Sequence, residues 1–242
     1  MKGPIGIIGG MGPEATVLFQ QRLIAATPAR DDADHIPLLI DMNPQIPSRI
    51  AWLIDGDGAD PQPVLIEMAR RLQTMGAVAL AIPCNTAHHY GDAIADAVSA
   101  PLLNMPRLAA ERAAQIVSKG GAVGILASPA TQHIGLFQNA LAPHGLKALY
   151  PDCGEELLKT IKRIKSAKHD AQDADILKKA AAEAASNGAE CLFIGCTEFS
   201  LIKDAAEGFV PVIDTLDILV KAVVEFAELT DNAGNPGWQH ST

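Results

Sequence analysis

The 242-residue sequence is poor in aromatic residues; Phe, Trp and Tyr together make up 4% of it. Its core must therefore be aliphatic and alanine-rich, which suits parallel strands packed between helices. Positive charge is also short. Nineteen Lys and Arg against 28 Asp and Glu leave a net charge of -9, which disfavours nucleic acid or an anionic membrane surface as a partner. An anionic small molecule stays open, because a site can be locally basic. No apolar run reaches the roughly 18 residues of a membrane span, and the opening MKGPIGIIGG is too short for a secretion signal. The cytoplasm is the expected location, with no membrane partner. Cysteine is limited to Cys84, Cys153, Cys191 and Cys196, with no CxxC pair. That excludes a disulfide framework and argues against a structural zinc site.

What is present is an alternation of short apolar runs and helical spacings. Ile5–Ile8 reads as a buried strand running into Gly9-Gly10-Met11-Gly12-Pro13, then a helix over 14–26 with Pro13 at a first helical position. Pro37–Met42 is a strand, followed by a Pro-, Gly- and Asp-rich loop to about Asp60, long enough to suggest function. Helical spacing over 62–75 ends at Gly76, and 77–82 is a continuous apolar strand. A helix from Thr86, a strand near Leu102 and a helix over 107–117 follow. The pattern then restarts, with strands over 122–127, 147–150, 190–194 and 210–213. Its helices fall over 131–141, 155–164, 173–186 and 216–229. The expectation is an α/β fold. The polar tail 231–242 is expected to fray.

The second half repeats the first. Gly76-Ala77 through Cys84-Asn85-Thr86 aligns with Gly188-Ala189 through Cys196-Thr197-Glu198 at a constant offset, 188 − 76 = 196 − 84 = 112. Gly6-Ile-Ile-Gly9 resembles Gly124-Ile-Leu-Ala127, and Pro101-Leu-Leu-Asn resembles Pro211-Val-Ile-Asp. The prediction is two similar parallel-sheet α/β subdomains related by a pseudo-twofold, with the active site in the cleft between them. The first covers 1–103 and takes back 211–230; the second covers 104–210. Cys84 and Cys196 would then face each other.

Each of these cysteines stands at a strand's carboxyl end, where α/β folds gather their active groups. A following helix N-terminus can lower a thiol pKa, so thiolate character is expected for one of the two. One thiolate and one thiol on opposite faces of a carbon can remove a proton and return another on the far side. Asn85, Thr86, Thr197 and Glu198 are placed to cap these turns or to hold a substrate. Ser128 and Thr131 could hydrogen-bond a carboxylate or merely cap the next helix. Cys191, mid-strand, reads as a small buried hydrophobe, as does Cys153. His88 reads as an ordinary helix residue.

Pro83-Cys84-Asn85-Thr86-Ala87-His88 and Gly195-Cys196-Thr197-Glu198 resemble the two signature segments of the aspartate/glutamate racemase superfamily. The opening Gly6-Ile-Ile-Gly9-Gly10-Met11-Gly12-Pro13-Glu14-Ala15-Thr16 resembles the aspartate racemase branch, as does Glu198, where the glutamate branch carries His. The resemblance spans about 6–214. It implies a homodimeric isomerase that needs no pyridoxal phosphate, metal or nucleotide and takes an amino-acid dicarboxylate. It also places carboxylate-binding roles on Arg49, within Pro44-Gln45-Ile46-Pro47-Ser48-Arg49, and on Lys165, within Lys162-Arg163-Ile164-Lys165. Met11, at another strand end, is a further candidate for substrate binding. Arg suits bidentate carboxylate binding and Lys adds a point charge.

Other readings stand beside this one. Gly10-Met11-Gly12-Pro13-Glu14-Ala15 fits a dinucleotide-binding G-x-G-x-x-G/A turn, although the acidic residue expected about 20 positions on is misplaced and both cysteines go unexplained. A glutamate or broad-specificity racemase, a maleate isomerase with nucleophilic cysteine, and a non-catalytic dicarboxylate sensor all keep the fold.

Overall fold

The computed structural model describes residues 3–166, 168 and 170–232. Two four-stranded parallel sheets carry the fold, flanked by helices. The first holds β1 (Ile5–Gly9), β2 (Leu38–Met42), β3 (Ala79–Ala81) and β4 (Leu102–Leu103), in the order β2-β1-β3-β4. The second holds β5 (Ala122–Leu126), β6 (Lys147–Leu149), β7 (Ala189–Ile194) and β8 (Val212–Asp214), in the order β6-β5-β7-β8. All pairings are parallel. The central strands are apolar along their length because helices cover both faces; Ile5, Ile7 and Ile8 are fully buried.

The repeat holds in the packing. A Cβ on Gly6 would stand 2.8 Å from Leu80, 2.9 Å from Ala77 and 3.1 Å from Leu72. On Gly124 it would stand 2.6 Å from Leu192, 2.8 Å from Ala184 and 3.1 Å from Ala189. The three partners correspond at the same offset, 192 − 80 = 189 − 77 = 184 − 72 = 112. Each half thus uses one glycine to let its helix lie close on the central strand. These helices are α2 (Gln62–Thr74) and α8 (Ala171–Ser186).

The domain boundary needs one correction. Val212–Asp214 pairs with β7, so it belongs to the second sheet, not to the first as the range 211–230 assumed. The helix after it, α9 (Thr215–Asn232), does cross to the first half, where Leu216, Leu219 and Val223 bury beside Ile5, Ile7 and Phe19 of α1 (Pro13–Ala26). Reciprocally α4 (Met105–Ala113), which follows β4, buries Ala109, Ala110 and Ala113 in the core of the second half. Each half therefore keeps its fourth strand and gives up the helix behind it. The caps repeat too: Asn104 accepts from Arg107 N–H, and Asp214 from Leu216 N–H.

Other differences are local. The stretch after Cys84 is a 3₁₀ turn, Thr86–Tyr90, before α3 (Gly91–Ala97). The helix expected over 107–117 starts at Met105 and ends at Ala113. The one expected over 131–141 is two, α5 (Pro129–His133) and α6 (Leu136–Leu141), broken by Gly135 at φ +67°. The long loop after β2 contains a π-helical turn, Ala51–Asp55, ended by Gly56 at φ +65° and packed against α5. Of the expected tail, 231–232 complete α9, and 233–242 lie outside the described residues. No helix among the described residues is long and apolar enough to cross a membrane.

Candidate active site

The carboxyl ends of β3 and β7 open onto one narrow cleft, and both Cys84 and Cys196 line it. Two short strand exits put them there. On the second, Gly195 is needed for close packing, since a Cβ would lie 2.8 Å from Phe137 and 3.0 Å from Ala127. The two exits are joined directly: Thr197 Oγ1 donates to the Pro83 carbonyl at 3.2 Å. Behind Cys84, the buried His88 ring bridges its carbonyl (Nδ1, 2.9 Å) and the N–H of Met105, which donates to Nε2 at 3.2 Å. An acceptor Nε2 makes Nδ1 the protonated nitrogen, and the ring is neutral. Burial lowers its pKa to about 4. His88 is thus a support for the turn rather than a partner of the thiol.

The surroundings of Cys196 are acidic. Its thiol donates to Glu198 Oε2 at 2.9 Å. Burial, and then the Glu198 carboxylate, push the Cys196 pKa well above its ordinary value, with Lys165 opposing. A lowering by a helix N-terminus is not seen at this thiol. The segment that follows, Phe199–Leu201, is a single 3₁₀ turn, whose dipole is small beside burial and an adjacent carboxylate. The other Glu198 oxygen, Oε1, is buried without a hydrogen bond and faces Lys165 Nζ at 3.5 Å. Lys165 is the last residue of α7 (Gly154–Lys165), a helix with Glu155 and Glu156 in its first turn and three basic residues in its last, as its dipole favours. Burial works to lower the Lys165 pKa, but Glu198, Cys196 and Cys84 together outweigh it and raise it.

From the first half, Arg49 reaches the cleft on the loop after β2. Its Nη1 donates to the Pro47 carbonyl at 3.1 Å, while its buried Nε has no partner. Met11 lies on the first glycine turn, held by Gly10 at φ +96°, where a Cβ would stand 2.3 Å from the Asn43 carbonyl oxygen. Asn85, Thr86 and Ser128 also line the cleft. Ser128 caps α5, accepting from Ala130 N–H at 3.2 Å. Thr131 does not line it; its hydroxyl is turned back to the Ser128 carbonyl at 2.8 Å. Ile50 and Ile161 line the cleft without having been singled out from the sequence, as does Gly195, which entered only as part of the Gly195-Cys196-Thr197-Glu198 motif. Ile161 had a readable signal, one helical turn before Lys165.

The glycine turn is not arranged for a dinucleotide. A Cβ at Gly12, at the N-terminus of α1, would stand 3.4 Å from Glu198 Oε1. A carboxylate there occupies the place a pyrophosphate needs and repels it. Among the described residues, no group of three or more His, Cys, Asp or Glu could hold a metal ion.

A cleft with a thiol from each half, a cation from each half and a carboxylate beside one thiol can bind an anionic zwitterion and move a proton across it. Comparison with known proteins agrees on the family. The broad specificity amino-acid racemase RacX of Bacillus subtilis (strain 168) is 28% identical over 225 residues, covering 91% of this chain and 96% of that protein. The aspartate racemase of Picrophilus torridus superposes with a TM-score of 0.80 at 28% identity, covering 93% and 95% of the two chains. The glutamate racemase of Thermus thermophilus shares the fold, with a TM-score of 0.67 at 20% identity, covering 98% and 86%. Residues 8–223 match the Asp/Glu/Hydantoin racemase family, and the chain belongs to it.

Proposed function

We propose that this protein racemises an amino acid without a cofactor, with aspartate as the substrate, through Cys84 and Cys196 acting from opposite faces of the α-carbon. The observation that carries this reading is that corresponding strand ends of the two halves bring both cysteines to one cleft, beside Arg49 and Lys165. Cys196, held protonated by burial and Glu198, is the acid of the resting enzyme. The complementary role of base falls to Cys84. The base takes the α-proton, and the Cys196 thiol delivers its own proton to the other face of the carbanion. One proton enters and one leaves, so the product complex has the roles reversed. In that state the Cys196 thiolate lies against the Glu198 carboxylate, and Lys165 offsets the repulsion. Arg49 and Lys165, one from each half, suit the two carboxylates of aspartate and stabilise the charge that develops on the α-carbon and its carboxylate. Asn85, Thr86, Ser128, Thr197 and Glu198 line the same cleft and would surround the substrate there.

A second reading, a broader amino-acid range, is favoured by two features. Lys165 is already paired with Glu198, and Met11, Ile50 and Ile161 make apolar walls. A cytoplasmic homodimer goes with either reading, and sedimentation tests the dimer. The deciding experiment is proton NMR in D2O of L- and D-aspartate, glutamate and alanine with the native enzyme, Cys84→Ser and Cys196→Ser. Loss of the α-proton with inversion, abolished or made one-sided by either substitution, supports two-thiol racemisation. Absence of exchange on every amino acid removes it and leaves isomerisation of a dicarboxylate or ligand sensing.

A further inference from the structure

One buried hydroxyl outside the cysteine motifs joins the two halves of the site. Thr215, the first residue of α9, is fully buried. Its Oγ1 donates to the Ile194 carbonyl at 2.8 Å, at the end of β7 and two residues before Cys196. The same oxygen accepts from Asn85 Nδ2 at 2.9 Å, in the residue directly after Cys84. A threonine hydroxyl has one hydrogen. The carbonyl can only accept, so that hydrogen is committed to Ile194, and what faces Thr215 from the other side must be a donor. The Asn85 amide is therefore fixed with its nitrogen toward Thr215 and its oxygen away. That oxygen is buried and has no partner, and Asn85 lines the cleft. A buried acceptor without a donor is costly to leave unfilled. The pseudo-equivalent position in the first half is Met105 (215 − 105 = 211 − 101 = 110), which has no hydroxyl, so the device occurs on one side only.

We propose that Thr215 is a positioning residue: it locks the Asn85 amide so that Oδ1 is offered to the cleft, where it accepts from the amino group of the substrate. The kinetic part of this inference rests on the racemase reading above; the orientation of the amide does not. A valine at 215 has the shape of threonine but neither donates nor accepts. The Asn85 amide would then be free to turn and present its NH2 to a positively charged amine. The loss should appear in binding more than in the chemical step.

The test uses the full chain, native, Thr215→Val and Thr215→Ser, with two measurements. The first is solvent exchange of the Asn85 side-chain amide protons by NMR on 15N-asparagine-labelled protein. One protected Asn85 proton is expected in the native protein and in Thr215→Ser, and none in Thr215→Val. The second is KM and kcat for L-aspartate, or for whichever amino acid the native enzyme turns over. Thr215→Val should raise KM about tenfold or more, the scale of one hydrogen bond to a charged group, with a smaller change in kcat and recovery in Thr215→Ser. Freely exchanging Asn85 protons in the native protein overturn the proposal even if the valine variant does not fold. So does a valine variant with unchanged KM, including one whose activity falls only in proportion to its folded fraction. If the native enzyme turns over no amino acid, the racemase reading fails, and the protection pattern alone decides the orientation.

Discussion

The Cys196 thiol and the Glu198 carboxylate are in hydrogen-bond contact, with Sγ 2.9 Å from Oε2, where Glu198 is buried and Cys196 is half-buried. Burial, and then this carboxylate, favour the proton on sulfur, and in the proposed reaction that suits the thiol to the part of resting acid. Glu198→Gln keeps the shape and removes the charge. It should lower the Cys196 pKa, though not to that of a free thiol, because burial is the larger cause and remains. Site-resolved alkylation of Cys196 against pH, read by mass spectrometry, should begin at lower pH in Glu198→Gln. An unmoved onset would show that burial alone sets the proton affinity.

Arg49 has a buried Nε without a partner. Arg49→Ala should raise KM for aspartate about tenfold or more, the scale of a lost charge-assisted hydrogen bond. Arg49→Lys should recover only part of it, because an ammonium does not reproduce the guanidinium fork. Steady-state kinetics of both variants decide this. Full recovery with lysine would mean that Arg49 acts as a charge alone.

His88 predicts a specific acid sensitivity. Its pKa in the fold is about 4 against 6.5 for the free side chain, mainly through burial, with Arg107 adding to the effect. The neutral ring is the one the fold accepts. Its contribution to stability is therefore complete above pH 6.5 and is lost progressively as pH falls from 6.5 through about 4. The amount at stake is on the order of 3 kcal/mol. Urea unfolding at a series of pH values should show the loss in that window, and His88→Gln should lack that part of the pH dependence.

Gly195→Ala places a methyl against Phe137 and Ala127. Overpacking of this kind costs about 1–3 kcal/mol. Because the next residue is Cys196, the variant should lose activity beyond its loss of stability. Urea denaturation and kinetics on the same preparation separate the two effects.

The sequence by itself determined the layered architecture, the repeat and the pair of cysteines. Apolar runs such as Ile5–Ile8 and 191–194 are strands because their residues are mostly Ile, Leu and other apolar types bounded by turn residues, which is local information. The 112-residue offset carried Cys84 and Cys196 to matching strand ends, because two copies of one unit bend their chains alike. Only the tertiary structure decided which sheet Val212–Asp214 joins and that α4 and α9 change places, since strand partners and helix docking depend on surfaces far away in the chain. It also decided that Ile50 and Ile161 wall the cleft while Thr131 turns away from it. The proton on Cys196 and the orientation of Asn85 were equally beyond local reading. One depends on burial and a carboxylate brought to the sulfur, the other on a hydroxyl 130 residues away, and both arise only where the two halves meet.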